Sequence, residues 1–218
     1  MAKRRRRRRR RIDPALPAVA ALSIAVLVAW IVSRPRVTPE PARPKLTMAE
    51  ARIFNAHIPF VTARRQAALP FHFRGTPAAR EQAAQCLATA ALYEAGSDDA
   101  GQKAVIQVVL NRARLPQYPS TICGVVYQGA ALATGCQFSF TCDGSQLRRP
   151  EHQGWQAART AAKRALGGYV FRPVGRATHY HADWMVPYWI GSLDKIAQIR
   201  THIFYSPKAR GAATPAAG

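Results

Sequence analysis

The stretch from Pro77 to Ala95 contains no further Pro or Gly, and it is bracketed by Thr76 in front and Gly96 behind. Thr is a good N-cap, Pro suits the first helical position, and Gly ends a helix at little steric cost, so the sequence predicts one helix over residues 77–95. At 100° per residue, Ala83, Ala84, Leu87, Ala90, Ala91 and Glu94 share a side. Glu94 therefore closes an apolar stripe in the last turn, where the helix dipole disfavours a negative charge by roughly 0.3–1 kcal/mol. Partial burial and the dipole both push a carboxyl pKa upward, the condition for a general acid working near neutral pH. The alternative is a carboxylate that snorkels to solvent from a frayed helix end.

Charge is distributed unevenly. Of the 32 Lys and Arg, nine lie in residues 3–11, while residues 82–205 hold twelve against seven acids. The formal net charge of +21 thus belongs largely to the N-terminal third. Residues 15–32 carry no charge over eighteen positions, about the minimum for crossing a hydrocarbon core. The basic flank at 1–14 predicts a cytoplasmic N-terminus, a single-pass inner-membrane anchor at 15–32 and a periplasmic C-terminal part. A cleaved signal peptide is the competing reading, although the residues after Val32 (Ser33, Arg34, Pro35) make a poor small-residue cleavage site. The arginine run also suits phosphate, but its place before an apolar span makes topology the simpler account, with lipid contact as a by-product and no nucleic acid partner expected. Pro35, Pro39, Pro41, Pro44, Pro59 and Pro70 mark residues 33–75 as a linker, with one short helix at 48–57. Residues 76–205 read as one domain, and residues 206–218 as a disordered Ala, Gly and Pro tail.

Within that domain a second helix is predicted from a cap at Asp98 or Asp99 through Arg114, with Ala104, Val105, Val108 and Val109 in its stripe and Pro116 beyond it. Residues 120–127 read as a helical turn. Residues 137–140 alternate polar and aromatic like a strand, so that Gln137 and Ser139 share one face while Phe138 and Phe140 share the other. A further helix opens at Pro150 or Glu151 and ends at Gly167-Gly168, and residues 177–182 and 202–205 read as strands. The fold class is α+β: a helical first half followed by a small antiparallel sheet. Cys86, Cys123, Cys136 and Cys142 fit an oxidising compartment, with Cys136 and Cys142 the best single pair. The full connectivity stays open among three pairings, and zinc is the rival use of the thiols, against which no C-x₂₋₄-C spacing is present.

A second chemical cluster runs through His179, Tyr180, His181, Asp183 and Trp184. On a strand, His179 and His181 point to one face, with Asp183 next in line. That order suits a metal, as in an amidase, and equally the wall of a sugar cleft, where Tyr180, Trp184, Tyr188 and Trp189 offer flat faces.

Six blocks, at residues 86–94, 102–112, 118–128, 135–144, 177–181 and 202–205, resemble the SleB and CwlJ type of cell-wall hydrolases in their alphaproteobacterial form. The match covers roughly residues 82–205 in order. The resemblance implies a lysozyme-like or resuscitation-factor-like core, peptidoglycan as substrate, no cofactor, and the catalytic role on Glu94. One departure stands out: the family pattern carries a second Glu where this chain has Ser97, which Asp98 or Asp99 only partly replaces. Cleaving the bond between N-acetylmuramic acid and N-acetylglucosamine by hydrolysis normally takes two carboxylates about 5–9.5 Å apart. With one well-placed Glu, a lytic transglycosylase is the preferred reading, with Asp143 the second carboxylate if the enzyme is a hydrolase. Gln137, Ser139, His179, Tyr180 and His181 are the expected saccharide contacts. A metal-dependent amidase built on His179, His181 and Asp183, and a non-catalytic wall-binding protein, remain the other classes.

Overall fold

The computed structural model describes residues 46–61, 66–132, 135–147 and 153–208. The basic segment and apolar run expected at 1–14 and 15–32 lie outside the described residues, as does most of the expected tail. Among the described residues no helix is long and apolar enough to cross a membrane.

Five α-helices and three strands make up the described fold: α1 Met48–His57, α2 Pro77–Ala95, α3 Asp99–Arg112, α4 Ile122–Val126, α5 Trp155–Leu166, β1 His179–Ala182, β2 Leu193–Ile199 and β3 His202–Pro207. The α+β plan is therefore observed, with helices first and a three-stranded antiparallel sheet in the order β1-β3-β2. Helix α2 starts as its sequence predicts: the Thr76 side chain accepts from the Ala79 amide and Pro77 follows. It stops at Gly96, whose φ of +53° is a left-handed conformation that a side chain would strain, and whose amide donates to Leu92 O.

Helix α3 is covered all round, which a stripe of four apolar residues did not foretell. Val105, Ile106, Val109 and Leu110 join α2 and α5 in one apolar cluster, while Ala104 and Val108 join Ile196 and Phe204 of the sheet in another. A helix sandwiched in this way must satisfy its polar side chains internally. Asn111 Nδ2 donates to Gly175 O at 2.9 Å and Ala177 O at 2.8 Å, and Gln107 accepts from the Phe171 amide at 3.0 Å. Such buried amides act as braces for the loop that leads into β1.

Several expectations change in the structure. Residues 137–140 form no strand; a 3-10 helix spans Ser139–Thr141 inside the loop closed by Cys136 and Cys142, with Thr141 N donating to Phe138 O at 3.0 Å. The alternation reported burial correctly all the same, since Phe138 and Phe140 are both buried. Helix α5 runs from Trp155, after Gly154, and Pro150 and Glu151, where its start was expected, lie outside the described residues. Strand β1 begins at His179 and β3 runs on to Pro207. Strand β2 went unforeseen, because a bulge between Lys195 and Ala197 breaks its alternation and Lys195, Ile196 and Ala197 are buried in succession. Helix α1 forms as expected, with a capping box between Thr47 and Glu50. The described part of the expected linker does not stand off: Val61 N donates to Lys195 O at 2.7 Å and Phe73 N to Leu166 O at 3.0 Å, so the described residues between 46 and 75 belong to the fold.

All four cysteines are paired, Cys86 with Cys123 and Cys136 with Cys142. The first pair joins α2 to α4 across 37 positions and the second closes only 6. Loop-closure entropy assigns roughly 4 kcal/mol to the longer loop and roughly 2 kcal/mol to the shorter. We therefore expect Cys86→Ala/Cys123→Ala to lower the denaturant midpoint more than Cys136→Ala/Cys142→Ala. The second pair should lower activity more, because it shapes Gln137 and Ser139. The reverse ranking in urea unfolding would contradict this assignment.

Candidate active site

The C-terminal turn of α2 is held in place by its neighbour. Gln102, fully buried on α3, donates through Nε2 to Gly96 O and to Gly154 O, the latter at 3.2 Å. Gly101 permits the close approach, since a Cβ there would meet Ala95 Cβ at 2.9 Å and Asp98 Oδ2 at 2.7 Å. The Gly101-Gln102 dipeptide thus fixes the backbone that carries Glu94.

Glu94 is half-buried, and its Oε2 accepts a hydrogen bond from Tyr180 Oη of β1 at 3.0 Å. Burial pushes its carboxyl pKa above the usual range; the Tyr180 hydrogen bond and the Arg112 guanidinium pull the other way without cancelling it. Tyr180 is itself pushed well above its ordinary value, first by burial and then by the carboxylate beside it, so it stays a neutral phenol and a donor. The result is a carboxyl group poised to hold a proton, with one fixed donor on the oxygen that would carry charge after its loss.

Arg112 sits behind this pair. It is buried at the end of α3, and its Nε donates to Thr178 O at 2.6 Å. With the Gln137 amide oxygen turned toward it, Gln137 accepts from Nη1 at 2.8 Å and Nη2 at 3.2 Å. The guanidinium also lies 5.5 Å from the Tyr118 ring centroid and 5.9 Å from that of Phe138. A cation so held is kept by neutral acceptors and ring faces, leaving its field free to act on Glu94.

These groups open onto a cleft of about 500 Å³ lined also by Ser139, His179, Trp184, Met185, Pro187, Trp189 and His202. A larger groove of about 1070 Å³ beside Ala68, Tyr169 and Phe171 carries no acid and offers no such chemistry. Residues 96–205 match the family model described as Cell Wall Hydrolase.

The chain belongs to the cell wall hydrolase family.

Glu94 lies just before that matched stretch. Among relatives of this cell wall hydrolase, the spore cortex-lytic enzyme of Halalkalibacterium halodurans is 35% identical over 122 residues, covering 55% of this chain and 33% of that protein. The spore cortex-lytic enzyme of Bacillus subtilis is 32% identical over 120 residues, covering 54% of this chain and 35% of its own length. The chain thus spans about a third of the length of these relatives. A solved structure, the catalytic domain of the Bacillus cereus SleB protein, is similar at 27% identity and a TM-score of 0.47, over 62% of this chain and 95% of that one.

The residues singled out in the sequence fall into three groups in this cell wall hydrolase. Glu94, Gln137, Ser139, His179 and Tyr180 all line the cleft. His179 is held neutral at neutral pH, its pKa lowered to about 4 by burial first and Arg112 second, and its Nδ1 lies 2.9 Å from Thr178 Oγ1. His181 reaches the cleft as well, but both ring nitrogens are engaged, Nδ1 with Ala182 O at 2.8 Å and Nε2 with Tyr205 Oη at 3.0 Å. The ring stacks on Tyr205 and meets Trp189 edge-on, so His181 lines the cleft with a ring whose nitrogens are already engaged within the protein. Asp143 is exposed, accepts from the Ser145 amide at 2.7 Å, and is felt by Glu94 only as a weak upward push on its pKa.

The metal alternative does not assemble. Asp183 pairs with Arg52 at 3.1 Å and His181 is engaged as described, so His179, His181 and Asp183 do not converge. Among the described residues no group of three His, Cys, Asp or Glu is placed to hold a metal ion. Asp98 and Asp99, the partial substitutes for the missing second Glu, pair with Arg200 and Lys103. Arg112 is the site residue that sequence reasoning missed. A signal existed: position 112 follows Val108 by four and Val105 by seven, which puts a guanidinium on the apolar stripe of α3.

Proposed function

We propose that this chain cleaves the glycan strands of peptidoglycan between N-acetylmuramic acid and N-acetylglucosamine, as a lytic transglycosylase with Glu94 as its acid and then its base. One observation carries the reading: Glu94 is held by Tyr180 with a raised pKa, and among the described residues it is the lone carboxyl lining the cleft. Protonated Glu94 gives its proton to the departing glycosidic oxygen as an oxocarbenium-like transition state develops. The muramyl 6-hydroxyl then closes onto the anomeric carbon while the Glu94 carboxylate takes the hydroxyl proton, which regenerates the acid and leaves a 1,6-anhydro end. Tyr180 and Arg112 stabilise the carboxylate during the interval between the two transfers. The names of the cortex-lytic relatives and the two disulfides, which fit an exported domain, support a cell-wall substrate.

A hydrolase that recruits Asp143 is the second reading, favoured by the electrostatic reach of Asp143 to Glu94. The amidase reading requires a metal-activated water. Dye release from labelled peptidoglycan, measured with and without prior chelation, separates it from the glycosidase. Glu94-based cleavage should be unchanged by the chelator. Loss of activity with recovery on adding zinc would overturn the proposal.

A further inference from the structure

Helix α1 lies outside residues 96–205 yet touches the wall of the cleft through two side chains. Asn55, buried at 1% exposure, donates through Nδ2 to Asp183 O at 2.6 Å and to Met185 O at 2.9 Å. Those two carbonyls flank Trp184, which lines the cleft. Arg52 pairs through Nε with Asp183 Oδ1 at 3.1 Å, and its guanidinium lies 5.7 Å from the Trp184 ring centroid. Helix α1 is anchored in turn from the far side, where the buried Lys195 of β2 donates to Asn55 O at 2.7 Å and Ile58 O at 2.9 Å. A short loop whose carbonyls are held by a helix, itself pinned to the sheet, has its aromatic side chain pre-positioned before any ligand arrives.

We propose that Asn55 and Arg52 are positioning residues for saccharide binding: they fix the 183–185 loop so that the Trp184 face receives a sugar ring of the glycan. The inference rests on the reading above that a glycan occupies the cleft. Asn55 touches none of Glu94, Tyr180 or Arg112, so its effect falls on affinity and leaves proton transfer intact. An amphipathic saccharide stacking on an aromatic face is the ligand class such a wall fits.

The test uses the full chain and two arms. In the Glu94→Gln background, co-sedimentation with purified, undigested peptidoglycan reads the Kd without turnover. In the wild-type background, soluble glycan fragments give kcat and KM. Asn55→Asp keeps the shape and removes both N–H donors, and should raise Kd and KM by about tenfold, the equivalent of about 1.4 kcal/mol, with kcat retained. Arg52→Ala, at an exposed pair, should shift both in the same direction by less, and Arg52→Lys should restore part of the loss. Trp184→Ala should mimic Asn55→Asp, and the double variant should be no worse than the single Trp184→Ala, because both act through one ring. Unchanged Kd and KM in both Asn55→Asp and Arg52→Ala would overturn the inference. So would additive losses in the Asn55/Trp184 cycle, or a fall in kcat that tracks a lower folded fraction in thermal melts. Full turnover by Glu94→Gln would instead strike the proposed function, and the KM of Asn55→Asp in the wild-type background would still decide the role of Asn55.

Discussion

Glu94→Gln is expected to slow fragment release from peptidoglycan by about 10²–10⁴-fold, or about 3–5 kcal/mol of barrier, while the protein stays folded. Glutamine keeps the shape and can still accept from Tyr180 Oη, so the hydrogen bond at 3.0 Å need not be lost. It removes the proton that the leaving oxygen requires. The same raised pKa fixes the sign of the stability change. A carboxyl whose pKa is raised by folding contributes stability that is present below its unfolded value and is lost as pH rises through its folded value. Above that range the ionised Glu94 is a burden on the fold, and Glu94→Gln should melt at the same temperature as the wild type or higher. Equal melting at low pH and a gain at neutral pH, read by thermal unfolding across pH, is the expected pattern. A Gln variant with near-normal turnover would remove Glu94 from the chemistry.

Arg112→Met should produce the second large effect. It leaves Thr178 O and the Gln137 amide without their buried donor, which costs about 1–3 kcal/mol of stability. It also removes the cation that pulls the Glu94 pKa down. With burial then less opposed, Glu94 holds its proton to higher pH, so the alkaline limb of the kcat/KM profile should move to higher pH. The carboxylate that forms after proton donation loses its stabilising charge, and kcat should fall on the order of 10²-fold. Arg112→Lys should keep the charge and part of the rate, yet lose the fork that Thr178 and Gln137 share. A profile displaced to lower pH, or unmoved, would show that Arg112 acts on packing alone.

Much of this site was legible one helix at a time. Thr76, Pro77 and Gly96 bound α2 by capping and left-handed geometry, both local properties of the chain. The placement of Glu94 at the end of the apolar stripe followed from the helical period. The alternation of Gln137, Phe138, Ser139 and Phe140 gave the buried faces correctly while misnaming the backbone, because a five-residue loop closed by a disulfide has no partner strand to pair with. Strand β2 hid because Lys195 belongs to a buried surface only once α1 supplies the carbonyls of Asn55 and Ile58. His181 looked like a ligand-binding imidazole, and the contact that occupies it comes from Tyr205, twenty-four positions away. Arg112 was obscured for the same reason: its acceptors, Thr178 and Gln137, are brought to it by tertiary packing. Local patterns told where polar groups sit on an element, and the partners that decide their roles came from elsewhere in the chain.

The most direct test is mass spectrometry of the soluble products formed by the full chain on purified peptidoglycan. The account predicts fragments ending in 1,6-anhydro-N-acetylmuramic acid, each one water lighter than its reducing counterpart, and none from Glu94→Gln. Free stem peptides with intact glycan strands, or the same anhydro products from the Gln variant, would contradict it.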